Sequence, residues 1–145
     1  MSESRESTNR RLLRARDLMD RTYAEPLDVG RLAAAALMSP AHFAREFKRV
    51  FGEPPHRYLL RRRIERAMFL LRTRDRPVGE ICHRVGFTSI GTFGRVFRRL
   101  VGCSPSAFRE RSQDRAQRAP TSFAMRWQRP GGSSSFGEAL TRRGS

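Results

Sequence analysis

Arg45 and Arg95 hold matching places in two stretches of this chain, AHFAREFKR at 41–49 and GTFGRVFRR at 91–99. Each arginine sits between two phenylalanines four residues apart, and a basic pair follows the second. A guanidinium presents a planar fork of N–H donors that fits a carboxylate, a phosphate or the O6/N7 edge of guanine. That is the chemistry of recognition. The residues that would make or break bonds are poorly placed by comparison. Cys82 and Cys103 lack the spacing of a zinc site, and Cys82 falls on an apolar helical position where a buried free thiol is ordinary. His42, His56 and His83 join no cluster of cysteines or carboxylates. No Gly-rich phosphate loop, H-E-x-x-H or G-x-S-x-G is present. The expectation is a non-enzyme with no metal and no cofactor.

Charge narrows the partner. The 145 residues carry 30 Lys+Arg against 14 Asp+Glu, a net charge of +16. Lys48 is the only lysine, as GC-rich coding would give, but codon bias does not explain the excess of base over acid. Such a surplus suits a polyanion, nucleic acid before an acidic membrane surface. Hydrophobic content of 38% is below the usual ~45–50%, so a modest and divided core is expected. No apolar run approaches the ~18 residues of a membrane span, and MSESRESTNRR has no apolar segment behind it to suggest secretion. A cytoplasmic, nucleoid-associated location follows as an expectation.

The elements that must position the two arginines read as helices throughout. Leu12, Ala15, Met19 and Tyr23 recur at helical spacing, predicting a helix over 9–23 after a disordered 1–8. A short helix spans 27–37, with Asp28 as N-cap and Val29, Leu32, Ala33 and Ala36 inward. Ser39-Pro40 then opens a helix with Phe43, Phe47, Val50 and Phe51 on one stripe, ending at Gly52. A longer linker helix covers 55–73, where Tyr58, Ile64, Ala67, Met68 and Leu71 face inward and Arg61, Arg62, Arg63 and Arg66 mostly outward.

After Asp75–Pro77 the first pattern returns. Val29, Gly30, Leu32, Ala33 and Ala36 correspond to Val78, Gly79, Ile81, Cys82 and Val85. One residue inserted near the turn shifts the register, and Phe43, Phe47, Lys48, Arg49 and Gly52 then meet Phe93, Phe97, Arg98, Arg99 and Gly102. Pro55 and Tyr58 meet Pro105 and Phe108. The repeated unit is a short helix, a tight turn and a second helix with a small polar cap, which is a helix-turn-helix. The fold class expected is all-α: two helix-turn-helix subdomains (27–52 and 77–102) joined by a long linker helix, about seven helices within 9–112, and a mostly irregular C-terminal tail over 113–145.

These residues resemble the AraC/XylS family of bacterial transcription regulators, whose DNA-binding domain is two helix-turn-helix subdomains on a linker helix. The resemblance covers about 10–112 and is most specific in VGFTSIGTFGRVFRRLVGCSPSAFRER, 85–111. It implies a sequence-specific regulator that binds double-stranded DNA and puts Arg45 and Arg95 at positions the family commonly uses for base contact. The phenylalanine stripes are core, so the opposite faces are left to read DNA: Ala41, His42, Ala44 and Arg45 in the first helix; Ile90, Gly91, Thr92, Gly94 and Arg95 in the second. Each arginine can fork onto guanine for about 1–3 kcal/mol of discrimination. Ala41 and Ala44 offer only a methyl group or shape. Gly91 and Gly94 depart from a generic member. Either the backbone approaches DNA closely there, or the second head supplies affinity more than specificity. Phosphate contacts are expected from Ser39, Lys48 and Arg49, from Ser89, Arg98 and Arg99, and from Arg57, Arg61 and Arg62 on the linker. Backbone amides near Pro55-His56 and Pro105-Ser106 are further donors.

A linker helix of 19 residues is about 28 Å long, compatible with heads in major-groove segments about 34 Å apart. A monomer would then cover an asymmetric site of about 20 base pairs, with DNA bending if the heads are held rigidly. Only about eight residues precede the first helix, which resembles stand-alone members controlled by abundance or a partner, with no small-molecule effector. In the tail, Phe123, Met125 and Trp127 alternate before a Gly/Ser-rich stretch, as a flexible end or as a segment that docks on the domain itself, on RNA polymerase or on another protein. The rival functions are a low-specificity architectural DNA binder and a DNA-alkyl-repair enzyme, which would need a reactive cysteine.

Overall fold

A computed structural model describes residues 4–118, in which seven helices run as α1 (Arg5–Arg21), α2 (Val29–Ala35), α3 (Pro40–Phe51), α4 (Pro55–Thr73), α5 (Val78–Arg84), α6 (Ile90–Val101) and α7 (Pro105–Arg118). The described residues contain no strand, and the chain divides into two units between Arg62 and Arg63, inside α4.

In the first unit α1, α2, α3 and the start of α4 enclose Leu12, Met19, Leu32, Phe43, Phe47, Tyr58 and Leu59. Phe43 and Phe47 are wholly buried, and each contributes about 1.5–3 kcal/mol by leaving water. Phe47 meets Tyr58 edge-on at 5.6 Å between ring centres. The second unit repeats the arrangement with Phe97 against Phe108, also edge-on, at 5.7 Å. Ile64, Leu71, Ile81, Cys82, Val85 and Phe93 are buried in this unit. The duplication seen in the sequence is therefore a duplication of packing.

Both turns that deliver the second helix of each pair are closed by the same backbone bonds. Met38 N–H donates to Ala33 O at 2.9 Å, and Phe87 N–H to Cys82 O at 3.1 Å, the six-to-one bond of a Schellman motif. That motif needs a left-handed residue just before. Gly86 (φ 104°) supplies it in the second head, whereas in the first a leucine does so, Leu37 at φ 57°. Ser39 Oγ then accepts from His42 N at 3.3 Å and Ser89 Oγ from Thr92 N at 3.2 Å, so both helices start on a serine cap.

Three boundaries differ from expectation. The first helix begins at Arg5, not at 9: Ser4 caps it by accepting from Ser7 N, and Thr8 is buried, so 1–8 is not a disordered lead over its described part. The second is shorter than 27–37, because Asp28 caps it and the turn begins at Ala36. The last helix runs past 112 to Arg118, which makes 113–118 regular. The Phe123/Met125/Trp127 pattern lies outside the described residues.

Candidate nucleic-acid interface

The core stripe of each helix fixes what its outer face presents. Phe43 and Phe47 point α3 inward, leaving Ala41, His42, Arg45, Lys48 and Arg49 exposed and Ala44 half-buried. Phe93 and Phe97 do the same for α6, leaving Ile90, Gly91, Arg95, Arg98 and Arg99 exposed, with Thr92 and Gly94 half-buried. Arg45 and Arg95 stand opposite the phenylalanine stripe of their helices, with Ala41, His42, Gly91 and Thr92 away from it as well. Ile90, three and seven residues before Phe93 and Phe97, instead prolongs the stripe and is exposed at the first position of α6. The N-terminal half of each helix carries the short side chains and one long arginine. Its last turn carries the basic pair, which also complements the negative helix end.

The two arginines are held differently. Arg95 donates from Nη2 to Thr92 Oγ1 at 3.2 Å. In α3 the equivalent of Thr92 is His42, and Arg45 has no hydrogen-bonding or ionic partner among the described residues. Arg49 donates from Nε to Glu46 Oε1 at 3.0 Å, and that bond holds the Glu46 carboxyl below its usual range. Position 96 is valine, so Arg99 has no acidic neighbour of this kind. Ser39 and Ser89 use their hydroxyl oxygens as caps, and each keeps an O–H to donate outward.

On the linker the expected phosphate set separates. Arg57 is exposed, as expected of a phosphate contact. Arg61 is not: its side chain is only 13% exposed and donates from Nε and Nη2 to Glu53 Oε2 at 3.0 and 2.7 Å. Its guanidinium is occupied in holding the fold, so it leaves the phosphate set. Arg62 is intermediate, donating from Nε to Asp20 Oδ1 at 3.1 Å with 37% of the side chain exposed. Tyr58 Oη donates to the same Asp20 oxygen at 2.8 Å. Burial first, and then this bond, push the Tyr58 phenol well above its ordinary value. Arg63, expected to face outward, is half-buried and lies 5.9 Å from the Phe87 ring, whereas Arg66 is exposed as expected and lies 4.7 Å from the ring of the exposed Phe69.

Glu53 and Asp20 were invisible to periodicity, since one lies in a turn and the other near the end of α1, far in sequence from its partners. Cys82 is fully buried, and burial raises its thiol, the reverse of what a nucleophile needs. Among the described residues no group of His, Cys, Asp and Glu is placed to hold a metal ion, and no helix is long and apolar enough to cross a membrane.

Residues 32–111 match the family model described as a helix-turn-helix domain. The HTH-type transcriptional regulator Rv1931c of Mycobacterium tuberculosis is 43% identical over 57% of this chain and 32% of its own length. The regulatory protein SoxS of Salmonella typhimurium is 33% identical over 64% of this chain and 87% of its own length. Among solved structures, the DNA-binding domain of the global transcriptional factor AdpA, in complex with a target DNA, is 36% identical with a TM-score of 0.68, covering 74% of this chain and 95% of that one. The chain spans about a third of the length of the curated relatives it matches first.

Proposed function

This chain belongs to the AraC/XylS family of helix-turn-helix proteins, and on that premise we propose that it is a sequence-specific transcription regulator of double-stranded DNA. It binds as a monomer, with α3 and α6 in successive major-groove segments. The observation that carries this is the doubled, outward-facing surface: in each head the phenylalanines are buried and one arginine stands exposed in the N-terminal half of the second helix. Arg45 and Arg95 read guanine edges, with Ala41, His42, Ala44, Gly91 and Thr92 beside them at the bases. Ser39, Lys48, Arg49, Arg57, Arg62, Ser89, Arg98 and Arg99 bind phosphate, supplying affinity without sequence information. A cytoplasmic, nucleoid-bound protein is the corresponding location.

Selection of bound sites from a random DNA pool tests this, followed by affinities of wild type, Arg45→Ala and Arg95→Ala at several salt concentrations. The expected site has two blocks about one helical turn apart, and each variant relaxes one block by about 1–3 kcal/mol. Uniform weakening on every sequence would instead support a low-specificity architectural binder.

A further inference from the structure

Ile90 is the first residue of α6 and is 57% exposed, although Phe93 and Phe97 of the same helix are wholly buried. The corresponding residue of α3 is Pro40, which has no comparable reach. Ile90 takes no part in the ring cluster of Phe87, Phe93 and Phe97. Its Cδ1 rests beside α5, 3.6 Å from where a Cβ on Gly79 would stand, and the remainder faces water. At about 100° per residue, Ile90 and Arg95 stand about 140° apart on α6, and within its first two turns only Gly94, about 40° round from Ile90, and Gly91, about 100° round, lie between them; Arg98 enters the same arc one turn further on. A Cβ on Gly94 would meet nothing within 4 Å, so no neighbour screens Ile90 on that side. An apolar side chain on the reading half of a recognition helix has one specific counterpart in the major groove, the 5-methyl group of thymine.

We propose that Ile90 is a specificity-determining residue that reads a thymine methyl within the block recognised by α6. It works beside the cationic fork of Arg95, across the glycine strip. The second head thereby reads two kinds of edge, one apolar and one hydrogen-bonding, despite its two glycines. This rests on the DNA-binding function proposed above.

Deoxyuridine in place of thymine deletes the methyl group and leaves base pairing intact. The test substitutes each thymine of the selected site in turn, for wild type and for Ile90→Ala. One thymine in the α6 block is expected to cost wild type about fourfold in affinity, which is about 0.8 kcal/mol at 1.4 kcal/mol per tenfold. The same deletion should cost Ile90→Ala nothing. An enriched site indifferent to every methyl deletion overturns the inference alone, as does an equal penalty in Ile90→Ala. A wild-type scan without any methyl penalty overturns the inference without a variant, so a folding defect in Ile90→Ala cannot rescue the idea. A pool that yields no site sinks the regulator function and this inference with it.

Discussion

Arg61 closes on Glu53 with two N–H donors to one carboxylate oxygen, and so ties α4 to the turn that leaves α3. Both side chains are nearly buried, 13% and 8% exposed, so removing one strands the other charge. Glu53→Ala is expected to cost roughly 3 kcal/mol in urea unfolding, and joint replacement by Leu and Met much less. Because Arg61 serves the fold, Arg61→Met should leave the salt dependence of DNA binding unchanged. Arg57→Ala should lower that slope by about 1. Equal slopes for the two variants would return Arg61 to the phosphate set.

Tyr58 gives a pH signature. Its folded-state phenol is raised, so above about pH 10 the unfolded chain loses a proton that the folded one keeps. The stabilisation is thus fully present below about pH 10 and is lost as pH rises beyond it. Tyr58→Phe should cost about 1.5 kcal/mol at neutral pH through the lost bond to Asp20, and should flatten the alkaline decline. Denaturant midpoints from pH 8 to 11 measure both effects.

Leu37 holds a left-handed backbone where the second head has Gly86, and its side chain is 69% exposed. Leu37→Gly should therefore gain about 1 kcal/mol by releasing strain, with little apolar burial lost. The reverse change, Gly86→Leu, should lose at least as much. Thermal melts of the two variants moving in the same direction would contradict this account.

Gly94 has open space around it and an ordinary helical backbone. Gly94→Ala should raise stability by up to about 1 kcal/mol through helix propensity. In the same variant DNA affinity should fall, because the added methyl obstructs the strip between Ile90 and Arg95. A more stable protein with unchanged affinity would mean that DNA does not come close there.

The two cysteines should separate under alkylation. Cys103 is half-exposed and should label in the native protein, whereas Cys82, fully buried and with its thiol raised, should label only on unfolding. Mass spectrometry before and after denaturation reads this directly.

Much of the fold was legible because local chemistry and tertiary demand agree. The phenylalanine stripes are core, Ser39 and Ser89 are caps, and α4 runs over the expected 55–73. Helix ends in polar sequence were harder. Nothing apolar marks Arg5 as a start, and only the absence of glycine or proline between Pro105 and Arg118 signals that α7 continues. On the candidate site, periodicity assigns Arg61 to an outer face but does not reveal that Glu53, in a turn, closes over it. The same limit hid the shared use of Asp20 by Tyr58 and Arg62. Contacts across distant parts of the chain leave no periodic trace.

The division of the chain within α4 has a consequence for cooperativity. Tyr58 and Leu59 are buried in the first unit, Ile64, Ala67, Leu70 and Leu71 in the second. Each half of the helix is shorter than the ~12–15 residues that sustain a helix alone in water, so each half depends on the core it serves. The two units are thus expected to open as separate foldons, although the backbone hydrogen bonds of α4 run through both. Amide exchange along α4 would register the opening free energy of one foldon at its beginning and of the other at its end.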